Sequence, residues 1–371
     1  MGQILDKPVT EKTTHVGRNG YVQFACSSMQ GFRLSMEDRH NFYTELPRFA
    51  PPKIQQAVES GEVHLSFFAV FDGHSGDTCA EFLSKNLFKL VLNEEVENNP
   101  NITAWSLLNS DQNIEQGFMR TDAEFDKSCA GVDDSGSTAT TLTVKRIGKD
   151  KLEVICANTG DSRTIMHYKG KTEPLSYDHK PHVNSEKTRI AKAKSYVEFG
   201  RVNGTLAVSR AFGDLTYKKY DKLPPEEQAV IPLPEIKRVI LDLNDTSEYN
   251  FAMLACDGVW DVMSNADATN FVLQRLLEQK NGTYKRLTYP GDPPQPPSDH
   301  SHDAPENHSS TSGFKFDLGS ICEDVLDHAV RGLDSKDNVS VIIILFQKDD
   351  DYVPPQQSFN LPPNHFAASM Q

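Results

Sequence analysis

Twice in this sequence a short, almost wholly apolar run stops at an Asp-Gly pair: LSFFAVF (65–71) before Asp72-Gly73, and FAMLAC (251–256) before Asp257-Gly258. Runs of that length, bounded by turn residues, predict buried strands. An aspartate at a strand end has its backbone fixed by the sheet while its side chain reaches into a cleft. The glycine beside it lets a carbonyl or a ligand come close. One Asp-Gly after a strand is most often a simple turn. Two of them, 185 positions apart, are harder to dismiss.

Four further acidic residues, at three places, share that setting. Glu37 and Asp38 follow Met36, Asp337-Asn338 opens the run VSVIIILF (339–346), and Asp161 lies in NTGDSR between two strand-like runs, ATTLTV/LEVICA (139–144, 152–157) and the segment after it. Carboxylates that converge without cations repel one another and resist ionisation. Hard divalent cations resolve this, and an all-oxygen set suits magnesium, manganese or calcium, whereas zinc would recruit cysteine or several histidines. Two such ions ~3.5–4 Å apart can lower the pKa of a shared water and clamp the oxygens of a phosphoryl group. Structural calcium would account for the carboxylates but not for Arg33 and His74 beside them. Arginine matches phosphate through paired N–H groups, and imidazole can protonate a leaving oxygen near neutral pH.

Between the strand-like runs, apolar residues recur at helical spacing over 76–92 (Ala80, Leu83, Leu87, Val91) and 318–333 (Leu318, Ile321, Val325, Ala329, Leu333), and Gly282 marks a helix stop. Strands and helices mix without strict alternation, which predicts an α+β layered fold rather than a doubly wound sheet. The 52 acidic against 38 basic residues leave a net charge of −14, so nucleic acid is not the expected partner. Six scattered cysteines with no CxxC pair read as reduced thiols of a cytoplasmic or nuclear protein. No apolar run is long enough for a membrane span and no secretory leader is expected. Gly2 raises N-myristoylation, but Asp6 stands where that pattern wants Ser or Thr, so residues 1–19 are expected to be an unmodified mobile segment. Residues 283–317, with four prolines between 293 and 297 and a Ser, His and Asp mixture, are expected to be a disordered insertion, and 349–371 a flexible tail. The insertion's His300, His302 and His308 match no ligand spacing.

Eight strings, in order, resemble the metal-dependent type-2C family of protein serine/threonine phosphatases. They are RLSMEDR (33–39), VFDGHSG (70–76), SGSTAT (135–140), ANTGDSR (157–163), DHKP (178–181), VNGTLAVSRAFGD (202–214), LACDGVWDVMSN (254–265) and DSKDNVSVI (334–342). The resemblance implies a central sandwich of two antiparallel β-sheets flanked by helices, formed by one domain over 20–348. It implies that Asp72 bridges two Mn2+ or Mg2+ ions, with Glu37 and the Gly73 carbonyl on one and Asp257 and Asp337 on the other. Asp38 would support metal-bound waters, Arg33 would bind phosphate, and His74 would be the general acid. Asp161, with Asp257, matches a weaker third cation site. Asn338 would orient Asp337, while Gly136, Ser137, Thr138, Asp178 and Gly213 would be structural. One departure concerns RIAKAKSYVEFG (189–200), which lacks the family's Gly-Gly pair on the way to the flap beside the active site. The implied partners are phosphoserine and phosphothreonine proteins, met by a monomer that would touch membranes only if Gly2 were acylated, and MGQILDKP is similar to the start of some acylated members, which favours that modification more than the motif alone does. An inactive phosphatase-like binding module and a phosphatase of small phosphoesters are the alternatives.

Overall fold

The computed structural model describes residues 4–45, 64–92, 110–129, 132–245, 249–290 and 315–348. In it the apolar runs form two antiparallel sheets. The first has six strands in the spatial order Ile4–Arg18, Val22–Arg33, Val339–Phe346, Phe251–Ala255, Arg163–Tyr168 and Lys171–Pro174. The second has five, ordered Glu235–Asp242, Lys151–Thr159, Ala139–Arg146, Leu65–Phe71 and Arg39–Tyr43.

Side-chain alternation along each strand assigns residues to layers. Phe24, Cys26, Ile342 and Ile344 of the first sheet meet Phe68, Val70, Leu142 and Val154 of the second in a common core. Their neighbours Ala25, Met29, Val341 and Ile343 face outward onto helices Asn265–Lys280 and Leu318–Asp327. On the other side Phe67, Ala69 and Phe71 pack against helices Thr78–Val91 and Asp111–Cys129. The order of layers is therefore helices, sheet, sheet, helices. It explains why VSVIIILF and LSFFAVF are apolar at every position but one, the buried Ser340 and Ser66: both faces of each strand are covered.

Register then brings distant strand ends together. Ala255 pairs with both Val341 and Arg163, and Met29 pairs with Val339. In the second sheet Phe71 pairs with Arg39, and Ala139 with Thr159. The residues that follow or precede these pairs, 257, 337, 161, 72 and 38, leave the sandwich at one end. A small third sheet covers that end, made of Gly73–His74, Gly136–Ser137 and Phe212–Gly213.

Two expectations about the edges differ from the structure. Residues 4–18, expected as a mobile segment, form the edge strand of the six-stranded sheet, with register shifts near Val9. Hydropathy gives no sign of it because the strand is held by its backbone ladder and by polar contacts: Thr14 Oγ1 lies 2.7 Å from Glu323 Oε1, and Lys12 Nζ 2.9 Å from Asp327. Residues 283–290, expected within the disordered insertion, are anchored on helix Leu318–Asp327. The Leu287 N–H donates to Asp324 (3.1 Å), as does Tyr284 OH (2.8 Å), and Arg286 pairs with Glu323. The histidines of the insertion, the tail 349–371 and Gly2 lie outside the described residues.

In the altered segment 189–200, Lys194 adopts φ +60°, a backbone that glycine enters freely. A hairpin follows, pairing Val197–Glu198 with Arg201–Val202 and leaving Phe199 almost fully exposed at its tip. Among the described residues no helix is long and apolar enough to cross a membrane.

Phe68 is fully buried between the sheets, with its ring centroid 5.1 Å from that of Phe24. Phe68→Ala should destabilise the protein by about 3–5 kcal/mol, read as a lowered urea midpoint. An unchanged midpoint would contradict the assignment of this residue to the inter-sheet core.

Candidate metal centre

Each acidic side chain reaches the end of the sandwich from a different element. Asp72 follows strand Leu65–Phe71, and Asp257 starts the short helix Asp257–Trp260 after strand Phe251–Ala255. Asp161 sits in the turn between Lys151–Thr159 and Arg163–Tyr168, where Gly160 has φ +100°. Oxygens of Asp72, Asp161 and Asp257 lie within 4.8 Å of one another, and an Asp38 oxygen is equally close to Asp72 and to the Cys256 sulfur.

Burial and mutual repulsion make these groups hard to ionise. Burial raises the pKa of Asp72 most, followed by the charges of Asp257, Asp38, Asp161 and Asp337. Asp257 is raised by burial, then by Asp161 and Asp337. Burial pushes Asp38 up to about 7, although Ser340 Oγ donates to it at 2.7 Å. Burial raises the Cys256 thiol well above its ordinary pKa, and its sulfur already accepts the Ser340 N–H at 3.2 Å, which leaves it less suited to a hard cation than the carboxylates beside it. The donor set left is all oxygen, crowded and anionic, and it fits a hard divalent cation.

Glu37 and Asp337 stand beside this group rather than inside it. Glu37 accepts from Ser35 Oγ (2.7 Å) and from the Gly76 N–H (3.2 Å). Its backbone runs so close to Gly73 that a Cβ there would lie 2.5 Å from the Glu37 carbonyl oxygen, which only glycine avoids. Asp337 is held by Arg33, whose Nη2 lies 2.5 Å from Oδ2, and by the Asn338 N–H at 2.7 Å. The Asn338 side chain does something the sequence did not suggest. It donates to the carbonyls of Gln30 (2.7 Å) and Ser35 (2.9 Å) and accepts from the Glu37 N–H (2.8 Å), tying the Arg33–Glu37 loop to the strand that follows Asp337.

Two side chains at the site escaped the sequence reading. Asp214 Oδ2 lies 2.7 Å from His74 Nε2. Burial alone would lower the pKa of His74; the Asp214 carboxylate outweighs it, with Asp161 and Glu37 adding, so the imidazole holds its proton more tightly than a free one. Lys180, from the DHKP string, pairs with Asp161 and sits in the field of Asp257 and Asp261. An ammonium group therefore stands at the position expected to help hold a third cation. The sequence signal for Asp214 was its place at the end of the string VNGTLAVSRAFGD, where it follows Gly213 as Asp161 follows Gly160.

Known proteins bear on this arrangement. The family model described as protein phosphatase 2C matches residues 22–288, a span that holds all of these residues except Asp337, Asn338 and Ser340. The chain is similar to protein phosphatase 2C homolog 2 of Schizosaccharomyces pombe, 39% identical over 76% of this chain and 70% of that one. It is likewise similar to protein phosphatase 2C homolog 3 of the same organism, 41% identical over 75% of this chain and 60% of the longer relative. Among solved structures, a phosphatase of Toxoplasma gondii shares the fold with a TM-score of 0.67 at 23% identity, covering 91% of this chain and 96% of that one.

Because Asp72, Asp257 and Asp38 have folded-state pKa values above those of the unfolded chain, they favour the fold below about pH 4 and lose that contribution as pH rises, for Asp38 through about 7. In EDTA the melting temperature should fall from pH 4.5 to 8. Asp72→Asn should flatten that slope, melt higher than the parent at pH 8, and respond less to added Mn2+. A variant that melts lower than the parent in EDTA at pH 8 would refute the repulsion.

Proposed function

The chain belongs to the protein phosphatase 2C family, and from that membership and the acidic cleft we propose that it hydrolyses phosphoserine and phosphothreonine in proteins by direct attack of water on phosphorus. The observation that carries this reading is the convergence of the Asp72, Asp161 and Asp257 oxygens next to a His74–Asp214 pair. Asp72 would bridge two Mn2+ or Mg2+ ions, with Glu37 and the Gly73 carbonyl completing one site and Asp257 and Asp337 the other. When bound, such cations supply a nucleophile from water at neutral pH and neutralise charge on the phosphoryl group.

The chain's own residues divide the remaining work. Arg33 stands exposed at the rim, tethered to Asp337, where its guanidinium can take a phosphate oxygen pair in bidentate geometry. Asp38, fixed by the Ser340 hydroxyl, would support waters bound to the metals. His74 donates its proton to the substrate oxygen as the phosphorus–oxygen bond breaks. Asp214 keeps the ring oriented and charged until that moment, as an orienting carboxylate does for a general acid. No side chain becomes phosphorylated, and the buried thiols have no part in the reaction. Lys180 on Asp161 makes any third cation a competitor of a tethered ammonium group, consistent with weak occupancy.

Purified protein should release phosphate from a phosphothreonine peptide with Mn2+ or Mg2+, lose that turnover in EDTA, and lose it by roughly 100-fold or more in Asp72→Asn. Arg33→Ala should mainly raise KM, by about tenfold, through the missing phosphate contact. Folded protein inert with every metal would instead favour a phosphatase-like binding module.

A further inference from the structure

Asp214 is itself held from behind, by residues that touch neither the carboxylate cluster nor His74. The turn that carries it is unfavourable by itself. Gly213 and Asp214 both take left-handed backbones, φ +66° and +50°, a region that glycine enters freely and aspartate more readily than most residues but still at some cost. Asp122, on the buried face of helix Asp111–Cys129, accepts the Gly213 N–H through Oδ1 at 2.8 Å. Lys218 then closes the loop on itself, its Nζ 2.8 Å from both Asp122 oxygens and 2.9 Å from the Ala211 carbonyl. The turn is thus gripped on both sides of Phe212, just ahead of Asp214.

The small sheet gives this grip a direction. His74 pairs with Gly136, and Gly136 with Gly213. A Cβ on Gly136 would lie 2.4 Å from both His74 Nε2 and Asp214 Oδ2, so imidazole and carboxylate meet across a residue that has no side chain. The Asp214 N–H donates to the Ser135 carbonyl at 3.0 Å, which fixes the near end of the turn.

We propose that Asp122 and Lys218 are positioning residues for proton delivery: their buried ion pair holds the 211–218 turn in the form that keeps Asp214 on His74. This rests on His74 as proton donor, as proposed above. In that step water oxygen forms the new bond to phosphorus, the bond to the substrate oxygen breaks, and the His74 proton passes to that departing oxygen. An alkoxide leaving from phosphothreonine needs the proton. A p-nitrophenolate spreads its charge over the ring and leaves without one.

The experiment compares kcat and KM for a phosphothreonine peptide and for p-nitrophenyl phosphate, both with saturating Mn2+, in Asp122→Ala, Lys218→Met and Asp214→Asn. The two positioning variants should lose about tenfold or more in kcat on the peptide, with KM within roughly twofold and p-nitrophenyl phosphate turnover nearly unchanged. Equal loss on both substrates, or no loss on either, overturns the proposal, since the ion pair would then support only the fold or nothing. If Asp214→Asn shows the selective loss and the other two do not, the proposal fails while the general-acid reading stands. If Asp214→Asn shows no selectivity, that reading fails first. Should Asp122→Ala not fold, Lys218→Met decides, because methionine preserves the apolar stem of the lysine.

Discussion

Buried carboxylates forced together at one end of a β-sandwich are the constraint on which this structure turns. Asp38, Asp72, Asp161 and Asp257 come from four separate strand ends, and nothing in their own attraction would gather them. What gathers them is the core between the sheets, where Phe24, Phe68, Ile342 and their neighbours leave no freedom to slip. A one-residue shift in any of these strands would turn its apolar set to the wrong face. Hydrophobic burial thus holds the carboxylates where electrostatics alone would disperse them, and the strain of that arrangement becomes affinity for a cation.

The surroundings of the cluster are mostly neutral. Ser340, Asn338 and the Cys256 thiol supply hydrogen bonds to Asp38 and to the backbone around it, so position is fixed without spending charge. The positive groups stand at the margins. Arg33 on Asp337 is largely exposed, where an ion pair adds little to stability but keeps a guanidinium at the mouth of the cleft. Lys180 on Asp161 lies deeper and offsets part of the repulsion among Asp161, Asp257 and Asp261.

The proposed proton delivery would be built separately, on the glycine-rich three-stranded sheet that closes the end of the sandwich. Gly73, Gly136 and Gly213 are there because the space beside each is already taken by the Glu37 carbonyl, by the His74–Asp214 contact and by the Ser135 carbonyl respectively. Left-handed backbone at Gly213 and Asp214 is the kind of local strain that persists only when neighbouring contacts over-determine it. The Asp122–Lys218 pair, the Gly213 N–H and the Ser135 carbonyl do so here.

The sequence by itself determined the strands Leu65–Phe71 and Val339–Phe346 to the residue, the helices after Asp77 and Asp317, and the acidic positions that end or open strands. These were legible because burial on both faces leaves nearly continuous apolar runs, and because Asp-Gly after such a run is a local pattern. The polar edge strand Ile4–Arg18 and the anchored stretch 283–290 were not, since backbone ladders and ion pairs leave no hydropathy signal. Nor could spacing reveal that Asp214 meets His74 from 140 positions away, that Lys180 sits on Asp161, or that Asn338 ties down the loop before Glu37. Those contacts depend on which strand ends lie side by side and on a missing Cβ at Gly136. Periodicity records what each segment buries; only the packed sheets decide which polar groups then face one another.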